Sequence, residues 1–181
     1  MLTDALLNFV PQGQIISMVG AAGVAIPIGN PIDILGSGSG TPPANIIGTQ
    51  SAIFGAETGV GQNKPVVLLT VGTAFTTSNS ATLTVAFQGA PDTGSAGGYL
   101  PGAWQTYEAT ATLTAAQLTA GQGIRLEWPV TFPDNAEPRF LRLLGVVASA
   151  TNFTAGTISN AVVTMARDDQ SNKYAQRNFN V

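Results

Sequence analysis

The sequence predicts an all-β fold, an antiparallel sandwich or barrel. Three observations carry this. Over residues 81–88 the chain alternates without a break: Ala81, Leu83, Val85 and Phe87 fall on one side of an extended chain, Thr82, Thr84, Ala86 and Gln88 on the other. A period of two marks a half-buried strand. Strand-like segments then recur at roughly regular spacing with turn residues between them, as in sandwiches and barrels. The length of 181 residues suits one domain, and a compact domain of that size buries about 70% of its chain surface, enough for a real core.

The stretch that organises the rest is 65–89. It opens with Val66, Val67, Leu68 and Leu69, apolar on both faces, which predicts a strand covered on both sides at that end. Thr76, Thr77, Ser78, Asn79 and Ser80 have the polar turn chemistry that reverses a chain. The expectation is a hairpin of two adjacent antiparallel strands in the middle of one sheet.

Upstream, residues 1–12 (MLTDALLNFVPQ) carry apolar Leu2, Leu6, Leu7, Phe9 and Val10 before Pro11, too short a segment for a stable helix. They fit a strand laid on the domain edge or an arm docked on a partner. The arm is preferred, because termini are ordered only when tied down. Residues 15–28 (IISMVGAAGVAIPI) form the longest apolar run. A membrane span needs about 20 such residues. This run is shorter and broken by Gly20, Gly23 and Pro27, and no basic residue precedes Lys64, as a signal peptide would require. It predicts one or two buried strands with a turn at Gly20 and Gly23. Residues 29–64 are loop-like, with Pro31, GSGSG at 36–40, Pro42 and Pro43. Ile46, Ile47, Ile53 and Phe54 are too apolar for a floating linker, so this segment is expected to cross a surface of its own domain or of a neighbour.

Downstream, 89–103 is a second Gly/Pro loop, and strand character resumes over 104–112. At 113–121, Thr114 and Gln117 match a capping box, Leu113 and Leu118 the hydrophobic staple around it, and Gly121 a stop. This predicts a single helical turn joining two strands. Ile124, Leu126 and Trp128 alternate with Arg125 and Glu127 as another half-exposed strand, and Pro129, Pro133 and Pro138 bracket a turn. Residues 139–147 (RFLRLLGVV) and 157–167 are the last strands, with TNFTAG turning between them. The organisation is an arm at 1–12, a β-sandwich at 13–167 with a long loop at 29–64, and a tail at 168–181.

Hydrophobic residues make up 44% of the chain and charged residues only 9%, against about 25% charged in an average soluble protein. The surface must therefore be largely Gly, Ser, Thr, Ala and Gln. That fits a surface covered by a partner, and equally an uncharged Thr-rich β surface. With no Cys and no His, disulfides, the commonest transition-metal ligands and the usual proton shuttle are all absent. Asp4, Asp33 and Glu57 are the only charges before Lys64, which leaves seven acids and seven bases from Lys64 onward. Without a basic excess, phosphate-backbone binding is disfavoured, so nucleic acid is not expected as a partner, and the short, broken run at 15–28 leaves no membrane expected either.

Candidate chemistry is sparse. GSGSG is followed by Thr41, Pro42 and Pro43 and has no nearby Lys, so it reads as a flexible loop and not a nucleotide cradle. Glu108 and Glu127 lie on separate predicted strands near Trp104, Tyr107 and Trp128. A retaining glycosidase would need two carboxyls about 5 Å apart, and the aromatics could form a sugar platform. Rim charges, and core packing for Trp128 beside Ile124 and Leu126, are the preferred readings, and Trp104 stays open. Asp168 and Asp169 read as a solvated strand end, since calcium needs six or more oxygens. The sequon at Asn152 is a chance match without export. Arg139 and Arg142 suit bidentate pairing with carboxylates at an interface, and equally a snorkelling role at a sheet edge. No catalytic, cofactor or metal site is predicted.

Four pieces, taken in order, resemble one family: MLTDALLNF; LTVGTAFTTSNSATLTVAFQGAPD; LTAAQLTAGQGIRLEWPV; and PRFLRLLGVV with the later DDQSNKY. The family is the cement, or decoration, proteins of tailed-bacteriophage heads, the group typified by a Bordetella phage cement protein. The likeness covers most of 1–28 and 65–174 and departs from the family pattern across 29–64 and after Tyr174. It implies a single-domain, jelly-roll-like antiparallel β-sandwich on the outer surface of an icosahedral virion capsid, made in the host cytoplasm. Its implied partners are the major capsid protein and other copies of itself, with a dimer favoured over a trimer. It implies no enzyme and no cofactor. The expected contact residues are Leu2, Leu6, Leu7 and Phe9 of the arm, Ile53 and Phe54 of the long loop, Arg139 and Arg142, and Tyr174, Arg177 and Phe179 of the tail. A carbohydrate-binding β-sandwich module is the alternative, with a jelly-roll glycosidase behind it.

Overall fold

The structure, a computed structural model, describes residues 8–11, 13–20, 22–33, 65–94, 100–128, 138–148 and 151–165. Over these residues the regular structure is nearly all strand: β1 Asn8–Val10, β2 Ile16–Ser17, β3 Ala25–Pro27, β4 Ile32–Asp33, β5 Pro65–Val71, β6 Thr76–Thr77, β7 Thr82–Ala90, β8 Gln105–Ala109, β9 Leu113–Thr114, β10 Gly123–Glu127, β11 Phe140–Val147, β12 Phe153–Ala155 and β13 Thr157–Met165. One sheet of five strands runs β1-β13-β5-β10, with β2 on β13. The other, of six strands, runs β3-β11-β7-β8, with β4 on β11 and β9 on β7. All of these strand pairings are antiparallel. The architecture is a β-sandwich.

Alternation decides what fills it. Leu83, Val85 and Phe87 of β7 and Leu141, Leu143 and Val147 of β11 face Val67, Leu69 and Val71 of β5 and Ile124 and Leu126 of β10 in one buried cluster. Phe87 ties the layers together. Its ring meets Phe9 of β1 edge-on at 6.4 Å, Tyr107 of β8 at 5.9 Å and Trp128, just past β10, at 5.2 Å. Trp128 is a core residue, as expected from its face.

The expected hairpin is not formed. β5 lies between β13 and β10 in one sheet, and β7 between β11 and β8 in the other. The polar segment between them crosses the sandwich instead of turning within a layer. The reason is packing: Phe75 and Ala81, within that segment, are buried in the core, which pins the connection against the end of both sheets. The chain crosses back from β11 to β13 beside it. β6 and β12 lie within these two crossings and pair with each other. A third crossing, from β2 to β3, joins through a bridge between Val19 and Phe153.

These crossings form the end wall of the sandwich. Phe75 and Phe153 stack edge-on at 4.8 Å beneath it. Above, the Thr76 and Thr154 hydroxyls are 2.8 Å apart, Thr77 Oγ1 donates to the Asn152 carbonyl at 3.0 Å, and the Asn152 N–H donates to Asn79 Oδ1 at 3.1 Å. Gly156 follows β12 with φ +144°, and a Cβ there would lie 2.5 Å from the Phe75 ring. Only glycine adopts that backbone and leaves the ring its place.

Two other expectations change. Residues 8–10 are a strand and not a free arm. β1 pairs with β13, Phe9 and Val10 are fully buried, and the Phe9 carbonyl accepts the Asn30 N–H at 2.9 Å. The run 15–28 does hold two strands around a turn, with Gly20 at φ 74° and Gly23 at φ 65°. The strands join different sheets, however, and the run is only partly buried: Met18 and Ile28 are in the core, while Ile15, Val19 and Val24 are 65%, 49% and 56% exposed. An edge strand of two or three residues has one inner face to bury and leaves the rest in solvent. The helical turn at Ala115–Gln117 is present, with the Thr114 N–H donating to Gln117 Oε1 at 2.9 Å and Leu118 fully buried. The GSGSG loop and Asp168 and Asp169 lie outside the described residues.

Gly156→Ala should destabilise the fold by about 2–4 kcal/mol through backbone strain and overpacking, read as a lower denaturant midpoint. Phe87→Ala should cost about 3–5 kcal/mol, the range for a buried Phe.

A candidate interaction face on the six-stranded sheet

The outer face of the six-stranded sheet follows from the same alternation. On β11, Arg142, Leu144 and Val146 point away from the core. Residues paired directly across an antiparallel ladder share a face. Leu144 stands opposite Pro27 of β3 and Ala86 of β7, and Ala86 opposite Ala109 of β8. Val146 stands between Ala25 and Thr84 and is 37% exposed. These two rows of apolar and hydroxyl side chains carry no charge.

The next row does. Arg142 is opposite Gln88, and Gln88 opposite Thr106. Arg142 Nε donates to Gln88 Oε1 at 2.8 Å, and Gln88 Nε2 donates to Thr106 Oγ1 at 2.8 Å. The guanidinium lies 4.1 Å from the centre of the half-buried Trp104 ring. Partial burial pulls the Arg142 pKa down from its ordinary value, yet an arginine stays cationic at any physiological pH.

Arg139, immediately before the same strand, is used differently. It is 7% exposed. Its Nε and Nη2 donate to Asp33 Oδ1 and Oδ2 at 3.1 and 3.0 Å, a fork-to-fork pair, and its Nη1 donates to Asp92 Oδ2 at 2.9 Å. Asp92 Oδ1 accepts the N–H groups of Gly94 and Leu100 at 2.9 and 3.1 Å. The cluster joins β4, β11 and the loop after β7. Desolvation pushes the Asp92 pKa up, but the two backbone N–H bonds and Arg139 outweigh it and hold the carboxyl below its usual value.

A groove of about 590 Å³ opens between β8, the turn after β9, and β10, and its lining includes Glu108, Thr110, Gln117, Gln122 and Arg125. Glu127 is not in the lining; it pairs with Arg125 at 3.1 Å on the exposed side of β10. The aromatics do not form one platform either. Tyr107 and Trp128 pack on Phe87 inside the sandwich, while Trp104 lies against Arg142 outside. Burial raises the Tyr107 pKa. Among the described residues no three acidic side chains are grouped to hold a metal ion, and no helix is long and apolar enough to cross a membrane.

Of the expected contact residues, Phe9 is core, Arg139 is clamped by its own chain, and Arg142 sits on the open face. Leu2, Leu6, Leu7, Ile53, Phe54, Tyr174, Arg177 and Phe179 lie outside the described residues. Sequence reasoning missed Leu144, Val146 and the Trp104 stack. The alternation of Arg142, Leu144 and Val146 along β11 was the available signal. The chain matches no protein-family model and no curated protein.

Arg139→Met should cost about 2–4 kcal/mol, because two carboxylates lose their counter-ion in a largely buried site. In the unfolded chain Asp92 has an ordinary pKa near 3.9. The folded value is lower, so its stabilising contribution is complete above roughly pH 4 and disappears as pH falls through the folded value. The wild-type melting temperature should thus fall more steeply on acidification below that point than that of Asp92→Asn.

Proposed function

We propose that this chain is a structural adhesion protein of a phage head, a capsid cement protein that binds the outer surface of an icosahedral shell and works as a homo-oligomer. The observation that carries the reading is the outer face of the six-stranded sheet: uncharged rows built from Pro27, Leu144, Ala86 and Ala109, and from Ala25, Val146 and Thr84, with exposed Val24 at their margin. The resemblance of the sequence to cement proteins directs that face toward a capsid. Burying such a surface costs little, because no charge on those rows must be stripped of water. Repetition over a symmetric lattice turns a weak contact per copy into a large total. The carbohydrate-binding alternative has less support, since the aromatics are divided between core and surface.

The purified full chain should bind undecorated heads saturably and raise their temperature of disruption, with no preference on a glycan array. Failure to sediment with heads at any concentration tested would overturn the reading.

A further inference from the structure

We infer that Arg142 is a preformed receptor for a carboxylate on the protein that covers this face, and that the covering surface is a shell subunit rather than the same face of a second copy. The inference rests on the adhesion reading and names the side chain at the centre of the contact.

Two arginines make the contrast, Arg139 just before β11 and Arg142 within it. Both carry the same five N–H donors. In Arg139, Nε, Nη1 and Nη2 all meet carboxylate oxygens. In Arg142, Nε donates to Gln88, and one face of the guanidinium is covered by Trp104. Among the described residues Nη1 and Nη2 of Arg142 have no partner. These are the nitrogens that can grip a carboxylate end-on with two parallel bonds. The side chain is also not free to wander. Trp104 holds it by stacking, Gln88 by a hydrogen bond, and Thr106 fixes Gln88 in turn. A receptor already ordered before contact loses little entropy on binding.

Its surroundings suit such a pair. Leu144, Val146, Ala86 and Pro27 are the rows beside it, so a partner lying flat on the sheet would exclude water from around the ion pair. Tryptophan and arginine ringed by near-neutral contacts are the residue types on which binding energy concentrates. Charge also bears on the partner. Among the described residues, Asp33 and Asp92, the carboxylates at this end of the sheet, are taken by Arg139, and Glu108 lines the groove. The described part of this face would therefore bring Arg142 of a second copy no carboxylate. A shell surface that presents an Asp or Glu above a flat apolar patch supplies one.

The test uses the full chain and undecorated heads, with occupancy measured by co-sedimentation across a salt series. Arg142→Gln should keep the wild-type melting curve, weaken apparent affinity about tenfold or more, as expected when one member of a desolvated pair is removed, and flatten the salt dependence. Arg142→Lys, which keeps the charge and loses the fork, should recover only part of the affinity and carries the test if the Gln variant folds poorly. Arg125→Ala, on the other sheet, should bind as wild type. Wild-type binding with both Arg142 variants undiminished overturns this inference alone. Wild type failing to bind heads overturns the capsid reading instead. Loss of self-association in Arg142→Gln by analytical ultracentrifugation, with head binding unchanged, assigns the face to a second copy and also overturns the inference.

Discussion

The structure depends on pinning its chain crossings to one another. The two apolar inner faces attract each other without direction, so packing alone would leave the layers free to shift in register. Here the chain passes between layers at the β5–β7, β11–β13 and β2–β3 connections, and those passages meet in one wall. Phe75 and Phe153 supply the apolar contact beneath it, while Thr76, Thr77, Asn79, Asn152 and Thr154 bond across its outside. The backbone is tied in as well. Met18 donates to the Gly156 carbonyl, Gly72 to Thr157, and Phe75 to Leu118. Irregular backbone near a core is tolerable only when its polar groups are paired in this way. With the ends of both sheets fixed, the outer faces are held as rigid surfaces.

Where a strand alternated cleanly its face was legible in the sequence, and its partner was not. A period of two assigns side chains to inside or outside, which is why 81–88 and 124–128 read correctly. It carries no information on which strand lies alongside. The hairpin expected at 65–89 failed on that point. The clue was Phe75, an apolar residue in a Thr/Ser segment, which a solvent-facing turn has no reason to hold. Phe9 was misplaced for a different reason: three residues are too few to show a period. The capping box around Thr114 was legible because its determinants are all local.

The difference between Arg139 and Arg142 could not be read at all. Both sit three residues apart in one apolar segment with similar neighbours. What separates them lies far along the chain: Asp33 is 106 residues from Arg139, Asp92 is 47, and Gln88 is 54 from Arg142. Tertiary placement decides which guanidinium becomes a clamp within the fold and which is left facing outward.

A surface with few charges has a particular use in adhesion. Charge pairs give orientation and selectivity at a contact, whereas apolar and small hydroxyl side chains give area with little desolvation cost. A face made only of the second kind would stick in many registers. A face crowded with the first would lose to water much of what it gained in pairing. One oriented cation set beside uncharged rows combines the two: area supplies attraction and the cation supplies register. Repetition then matters more than strength. On the proposed adhesion reading, a contact too weak to hold one copy is sufficient when neighbouring copies are held at fixed spacing by a lattice, and a rigid sandwich presents the same face at every position.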